Sequence, residues 1–149
     1  MLGEYIVLSK VLKEQTNTEK ILVVDDEPDE VMVVSKFLKH NGYEVITASD
    51  GLQCLAKAEN EQPALILLDN MMPNMDGPTT LAKLKASSKT KNIPVIMVTA
   101  LADEKNITGA QKGGAVEYIV KPFDYTVLLE KVAQVLKSKH KRKVSIYRG

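Results

Sequence analysis

The chain has 149 residues, a length typical of one domain. Hydrophobic residues make up 44% of it and charged residues 26%, which is the balance of a globular protein and excludes a low-complexity chain. The net charge of +1 provides no general attraction to nucleic acid or anionic lipid, and no apolar run approaches the ~20 residues that cross a membrane.

Residues 1–18 form an N-terminal extension whose apolar residues are spaced for a short amphipathic helix. Glu4 and Lys10 interrupt its apolar stretch, so it is a poor signal peptide. The extension could pack on the domain, mediate dimer formation, or lie outside the natural start of the protein. The sequence leaves these alternatives open.

Five short apolar runs are too short for helices and rich in Val, Ile or Leu, which predicts β-strands. Their continuous apolar character is typical of strands covered on both faces in a parallel sheet. In chain order the runs are ILVV (21–24), YEVITA (43–48), ALILL (64–68), PVIMV (94–98) and YIV (118–120).

Helical patterns fill the gaps between these runs. The first helix should begin at Pro28 and end before Gly42, since proline suits a first turn and glycine a C-terminal cap. The second should open near Asp50 and stop before Pro63, with Leu52, Leu55 and Ala56 as its apolar positions.

Three further helices are predicted in the second half of the chain. The third follows Gly77, and the fourth lies between Asp103 and Gly113. The fifth begins near Asp124 and has the clearest apolar stripe, formed by Tyr125, Leu128, Leu129, Val132, Val135 and Leu136.

The order is therefore strand then helix, repeated five times. Such alternation with short connections predicts an α/β fold, a doubly wound five-stranded parallel sheet with helices on both faces. The single cysteine, Cys54, fits this setting as a small half-buried side chain, and the absence of a disulfide partner indicates a cytoplasmic location.

Polar residues follow four of the predicted strands. The first strand leads into Asp25 and Asp26, the third ends at Asp69, the fourth at Thr99 and the fifth at Lys121. Each alone has an ordinary explanation, such as a turn or a helix cap. Together they meet at one edge of the predicted sheet, where such folds place their active sites.

These residue types suit the transfer of a phosphoryl group to a carboxylate. Carboxylates brought together repel each other, and a hard cation such as Mg²⁺ with oxygen ligands offsets that repulsion. Lys121 adds a second positive charge and Thr99 a neutral hydroxyl, and in such a transfer we expect Asp69 to attack as the nucleophile.

At these positions the sequence resembles the receiver domain of response regulators, the chemotaxis-Y-like proteins of two-component signalling. The resemblance implies a flavodoxin-like fold over residues 19–138, between the extension and a basic tail at 139–149. The matching stretches are ILVVDDEP (21–28), LILLDNMMPNMDG (65–77), PVIMVTA (94–100) and YIVKPF (118–123).

The resemblance also implies roles for single residues. Asp69 matches the phosphorylated aspartate, Asp26 a direct Mg²⁺ ligand and Asp25 its acidic partner. Lys121 matches the lysine that binds the phosphoryl group, and its bond to Pro122 is often cis in the family. The remaining matches are the Met71 backbone carbonyl as a third ligand, Thr99 and Tyr118 as the switch pair, and Pro73 and Gly77 in the loop after the phosphorylated strand.

Two apolar positions predict a long-lived phosphorylated state. In the family, the side chains at Met71 and Leu101 flank the water that hydrolyses the acyl phosphate. Neither can orient that water by hydrogen bonding, so we expect self-dephosphorylation to take hours rather than seconds. No enzymatic activity is expected beyond self-phosphorylation and self-dephosphorylation.

The implied partners are a sensor histidine kinase or phosphotransfer protein and a downstream protein target. A homodimer through the fourth helix, fifth strand and fifth helix remains an alternative. Five of the seven residues 137–143 are Lys or Arg, which we interpret as a solvated helix end in preference to a nucleic-acid contact or a linker to an output domain. His40 and His140 are interpreted as surface residues.

Two other functions are compatible with a strand-end aspartate. A phosphatase of the haloacid dehalogenase type would need a second Asp two residues after the nucleophile, where this chain has Met71. A binding module that has lost phosphorylation would not need all five key positions, which are present here.

Overall fold

The computed structural model describes residues 18–101 and 103–148, with side chains described as far as Lys139. The predicted helix in the N-terminal extension and the side chain of His140 lie outside this part. The elements are β1 (Lys20–Val24), α1 (Pro28–His40), β2 (Glu44–Ala48), α2 (Gly51–Glu61), β3 (Leu65–Asp69), α3 (Gly77–Ala86), β4 (Val95–Thr99), α4 (Glu104–Lys112), β5 (Glu117–Val120) and α5 (Tyr125–Arg148).

The five strands form one parallel sheet in the order β2-β1-β3-β4-β5. This confirms the predicted doubly wound fold. After β2 the chain crosses back over β1 and forms β3 on its other side. β1 and β3 are therefore neighbours in the interior of the sheet. The two edge strands, β2 and β5, each begin with a glutamate, Glu44 and Glu117.

The core lies in two layers because alternate residues of each strand point to opposite faces. Ile21 and Val23 of β1 belong to the layer covered by α1 and α5, whereas Leu22 and Val24 belong to the layer covered by α2 and α3. All five residues of β3 are buried. The apolar runs are therefore continuous because helices cover both faces of the sheet, as inferred from the sequence.

Three of the helices begin at an aspartate that caps the first turn. Asp50, Asp76 and Asp103 each accept a hydrogen bond from the backbone N–H three residues later, at 2.8, 2.8 and 2.9 Å. α1 begins with Pro28, as predicted, and the chain leaves it through Gly42 at a φ of +93°.

The inward face of α2 differs from the prediction. Leu52 is exposed, and the buried positions are Gly51, Cys54 and Ala58. These small residues recur at helical spacing and bring α2 close to α3: a Cβ at Gly51 would collide with the hydroxyl of Thr80 in α3. Cys54 is fully buried and not half-buried.

The last helix is longer than the apolar stripe that predicted it. Leu128, Val132 and Leu136 are its buried positions, and the helix continues without a break to Arg148. His40, at the end of α1, is exposed as expected. Within the described residues, no helix is both long enough and apolar enough to cross a bilayer.

Candidate phosphoacceptor site

The strand order brings the predicted polar residues to one edge of the sheet. Asp25 follows β1, Asp69 ends β3, Thr99 ends β4 and Lys121 follows β5. These four strands are neighbours and point the same way, so their carboxyl ends lie together. The backbone N–H of Lys121 donates to the Thr99 carbonyl at 2.8 Å, which ties the last two positions to each other.

The Lys121 ammonium lies at the centre of the site. It donates to Asp25 Oδ2 at 3.2 Å and to Asp69 Oδ1 at 3.1 Å, and these carboxylates are 96 and 52 residues away in the chain. A third bond, 2.8 Å long, goes to Glu30 Oε2 in the first turn of α1. An ammonium has three N–H donors, so these three carboxylates engage all of them.

Three aspartates offer a set of oxygen ligands. One carboxylate oxygen from each of Asp25, Asp26 and Asp69 lies within 4.8 Å of the others. Asp25 and Asp69 are buried and Asp26 is exposed. Oxygen atoms of this kind, with one side open to water, suit a hard cation such as Mg²⁺, which keeps several of its waters.

Asp25 and Asp26 differ in how their oxygens are engaged. Asp25 Oδ1 accepts from the Glu27 N–H at 3.0 Å while Oδ2 accepts from Lys121. Within the described part of the chain, no protein donor reaches the Asp26 carboxylate or the Met71 carbonyl oxygen. Asp26 and Met71 therefore have oxygens that no protein donor among the described residues occupies.

Burial and charge displace the pKa values of the site in opposite directions. Burial raises the pKa of Asp69, the neighbouring Asp25 charge raises it further, and Lys121 only partly opposes this. Burial also acts to raise the pKa of Asp25, but the neighbouring Glu30 side chain, the hydrogen bond from the Glu27 N–H and the Lys121 ammonium lower it overall. Ionisation is therefore less favourable at Asp69 than at Asp25.

Burial would lower the pKa of Lys121, but its carboxylate partners more than compensate and raise it. Glu30 contributes the largest of these effects, ahead of Asp69 and Asp25. The lysine is therefore held as an ammonium.

Thr99 is buried, and its hydroxyl is engaged by the following loop. Its Oγ1 accepts from the Leu101 N–H at 2.8 Å and donates to the Leu101 carbonyl at 3.3 Å. The hydroxyl must give up these bonds to reach any group bound at Asp69.

Tyr118 is half-buried on β5, and the Lys131 ammonium lies 5.3 Å from the centre of its ring. Lys131 also donates to the Tyr118 carbonyl and pairs with Glu117, each at 3.1 Å. This contact fixes one face of the ring by a cation–π interaction.

The loop after β3 wraps closely around Asp69. The Gly77 N–H donates to the Asn70 carbonyl at 2.9 Å, and a Cβ at Gly77 would lie 2.5 Å from the Asp69 carbonyl oxygen. Only glycine allows that approach. Met71, in the same loop, is 64% exposed and Leu101 is 38% exposed, and both line one open groove with Asp26.

Sequence reasoning missed Glu30. It lies in the first turn of α1, and its carboxylate contacts Lys121 at the same edge of the sheet. Its partner Lys121 is 91 residues away in the chain, so no local pattern marked the contact. The Lys121–Pro122 peptide bond is cis, in agreement with the resemblance.

Known proteins are similar to this chain in both fold and sequence. A receiver domain from Methanospirillum hungatei superposes with a TM-score of 0.79 at 34% identity, covering 85% of this chain and 99% of that one. The receiver domain of the Pseudomonas aeruginosa sensor histidine kinase PA1611, described with a magnesium ion coordinated in its active site cleft, gives 0.75 at 28% identity, over 80% and 98% of the two chains.

Among curated proteins, the DNA-binding dual master transcriptional regulator RpaA of Synechocystis is 39% identical over 118 residues. The match covers 79% of this chain and 49% of RpaA, so the chain spans about half the length of that relative. The response regulator receiver domain family matches residues 21–133. The chain therefore belongs to the response regulator receiver domain family.

Proposed function

We propose that this chain is the phospho-accepting receiver of a two-component phosphorelay, and that Asp69 accepts the phosphoryl group. Receiver domains are generally phosphoacceptors without a catalytic function of their own. The observation that carries the proposal is the convergence of Asp69 with Lys121 and two more aspartates at one edge of the sheet. The family match also argues against the phosphatase alternative.

In the proposed transfer, an oxygen of the Asp69 carboxylate attacks the phosphorus of a donor phosphohistidine. The phosphorus–oxygen bond forms as the phosphorus–nitrogen bond breaks, and the imidazole leaves with a proton from solvent. Lys121 offsets charge on the transferring oxygens and holds them in place. The ion pair at 3.1 Å already aims its ammonium at the acceptor carboxylate.

Receiver domains bind Mg²⁺ at an acidic site. Here the ion would be held by the side chains of Asp25, Asp26 and Asp69 and by the Met71 carbonyl, with Asp26 bound directly and Asp25 chiefly through water. The engagement of both Asp25 oxygens and the availability of Asp26 support this division. When bound, the ion supplies positive charge that offsets the carboxylates and the phosphoryl oxygens.

Thr99 and Tyr118 form the proposed switch. Phosphorylation adds oxygens that accept strongly, so Thr99 exchanges its bonds to the Leu101 backbone for one to the phosphoryl group. That movement vacates space into which the Tyr118 ring turns, leaving its contact with Lys131. The surface of α4, β5 and α5 then changes shape.

The proposed output is a contact with a downstream protein through that surface. Val116, Val120 and Val127 lie exposed on it, which supports a protein partner or a second copy of the chain. Receiver domains interact with histidine kinases or phosphotransfer proteins, and some relatives are DNA-binding regulators. We propose no nucleic-acid contact for the residues of this chain.

Three finer proposals accompany this function. The receiver occupies residues 19–138, with an extension before it and a basic tail after it. Its setting is cytoplasmic, which the unpaired thiol of Cys54 supports. The apolar side chains of Met71 and Leu101, both exposed beside the site, support slow self-dephosphorylation.

The test is intact mass after incubation with acetyl phosphate and Mg²⁺. Wild type should gain one phosphoryl group, and the gain should be lost when the metal is chelated. Asp69→Asn should gain none, whereas Asp29→Asn, a matched surface variant, should behave as wild type. A gain in Asp69→Asn would mean another acceptor, and no gain in wild type would favour a binding module without phosphorylation.

A further inference from the structure

The Lys121 ammonium has a third carboxylate partner that no other part of the mechanism uses. Glu30 Oε2 lies 2.8 Å from Lys121 Nζ, closer than either Asp69 or Asp25. It reaches the ammonium from the first turn of α1. The Glu30 side chain is 42% exposed, whereas those of Asp25 and Asp69 are 10% and 9% exposed.

A phosphoryl oxygen that binds Lys121 has to replace one of these three acceptors, because the ammonium has three N–H donors and all are engaged. Asp25 and Asp69 are enclosed, so an oxygen released there would lose its partner away from water. Glu30 is the most exposed of the three, so water can solvate its carboxylate once it lets go. Glu30 is therefore the acceptor that leaves most readily.

The charges around Lys121 also favour the release of Glu30 when a phosphoryl group binds. Three carboxylates contact the ammonium at this edge of the sheet, those of Asp25, Glu30 and Asp69, and the carboxylate of Asp26 lies close to two of them. An incoming phosphoryl group brings further negative charge to the ammonium that Glu30 already neutralises. The two groups therefore exclude each other both by hydrogen-bond count and by repulsion.

We propose that Glu30 is a positioning residue that holds the Lys121 ammonium in the unphosphorylated protein and competes with the phosphoryl group for it. This inference rests on the proposed function of Asp69. Glu30 does not touch the reacting atoms; it acts through Lys121. It weakens the capture of a phosphodonor and so keeps the unphosphorylated state favoured when donor is scarce.

The test compares wild type with Glu30→Gln and Glu30→Ala. The amide keeps the shape of the side chain without its charge, and alanine removes the acceptor altogether. The matched control is Asp29→Asn, which removes one charge from the adjacent position of the same helical turn, where Asp29 is exposed. Circular dichroism establishes that each variant is folded.

The initial rate of phosphorylation by acetyl phosphate is measured by intact mass over a range of donor concentrations, at saturating Mg²⁺. Loss of a partly exposed ion pair should lower the half-saturating donor concentration about two- to five-fold in both Glu30 variants. The limiting rate should stay unchanged, because Lys121 and Asp69 are intact. A purely structural role would lower the limiting rate instead.

Each other outcome is decisive. Unchanged or raised half-saturation in the Glu30 variants overturns the inference, as does an equal shift in Asp29→Asn, which would show a general effect of charge. In both cases a phosphorylated wild type leaves the function of Asp69 standing. A wild type that takes up no phosphoryl group overturns the proposed function, and the inference with it.

Discussion

Replacing Asp69 by asparagine should stabilise the folded protein when no divalent cation is bound. Burial and the Asp25 charge raise the pKa of Asp69, so its ionised form is less favourable in the folded than in the unfolded chain. Above its unfolded pKa, ionised Asp69 therefore lowers the free energy of unfolding. Asparagine has nearly the same shape and can still accept from Lys121, but it carries no charge.

The magnitude follows from the distances. Carboxylate pairs 4.8 Å apart, the bound that holds for Asp69 with Asp25 and with Asp26, repel by about 0.9 kcal/mol in water and about 3.5 at an effective dielectric of 20. The ion pair with Lys121 at 3.1 Å returns about 1.3 to 5.4 kcal/mol over the same range. Two repulsions exceed one attraction by about 1 kcal/mol.

Urea unfolding and thermal melts in the presence of EDTA measure this difference, which corresponds to a rise in Tm of about 2–4 °C. The advantage of Asp69→Asn should shrink in Mg²⁺, since the ion stabilises the wild-type site, and should shrink again as pH falls and wild-type Asp69 takes a proton. Asp29→Asn controls for the loss of a surface charge. The reasoning is refuted if Asp69→Asn is no more stable than wild type in EDTA, or if the control gains as much.

Three shorter predictions concern other parts of the molecule. Polar residues at Met71 and Leu101 together should shorten the lifetime of the phosphorylated state, measured by intact mass after donor removal; an unchanged decay would contradict this. Asp50→Ala should lower the free energy of unfolding by about 1 kcal/mol through loss of the cap on Gln53, while Asp50→Asn should retain it. Burial raises the pKa of Cys54 to about 12, so a maleimide at about pH 8 should label the protein only after it unfolds, and rapid native labelling would be inconsistent with the structure.

The strand ends could be predicted because each apolar run stops at an abrupt chemical change. Leu68 gives way to Asp69 and Val98 to Thr99, and in a parallel sheet those ends must meet. The helix starts could be predicted equally well, since proline and aspartate mark them locally. The fold, and the edge of the sheet that holds the site, could therefore be predicted from local sequence signals and the rule that the carboxyl ends of parallel strands lie together.

Which face of α2 is buried, and whether Glu30 contacts Lys121, both depend on how the helices lie against the sheet. Leu52 is apolar, but the small residues Gly51, Cys54 and Ala58 turn inward because they let α2 approach α3. Whether Glu30 reaches Lys121 depends on how α1 lies at the carboxyl end of the sheet, which spacing along the chain does not fix. Side-chain reach across elements is thus the part that needed the structure.

The glutamates that begin the two edge strands affect how the protein behaves at high concentration. An open edge strand presents unpaired backbone groups on which another chain can add a strand. β2 and β5 have only five and four residues, and Glu44 and Glu117 place a negative charge at the start of each. Short strands with a charged first residue give a second chain few backbone groups to pair with, which disfavours growth of the sheet into an aggregate.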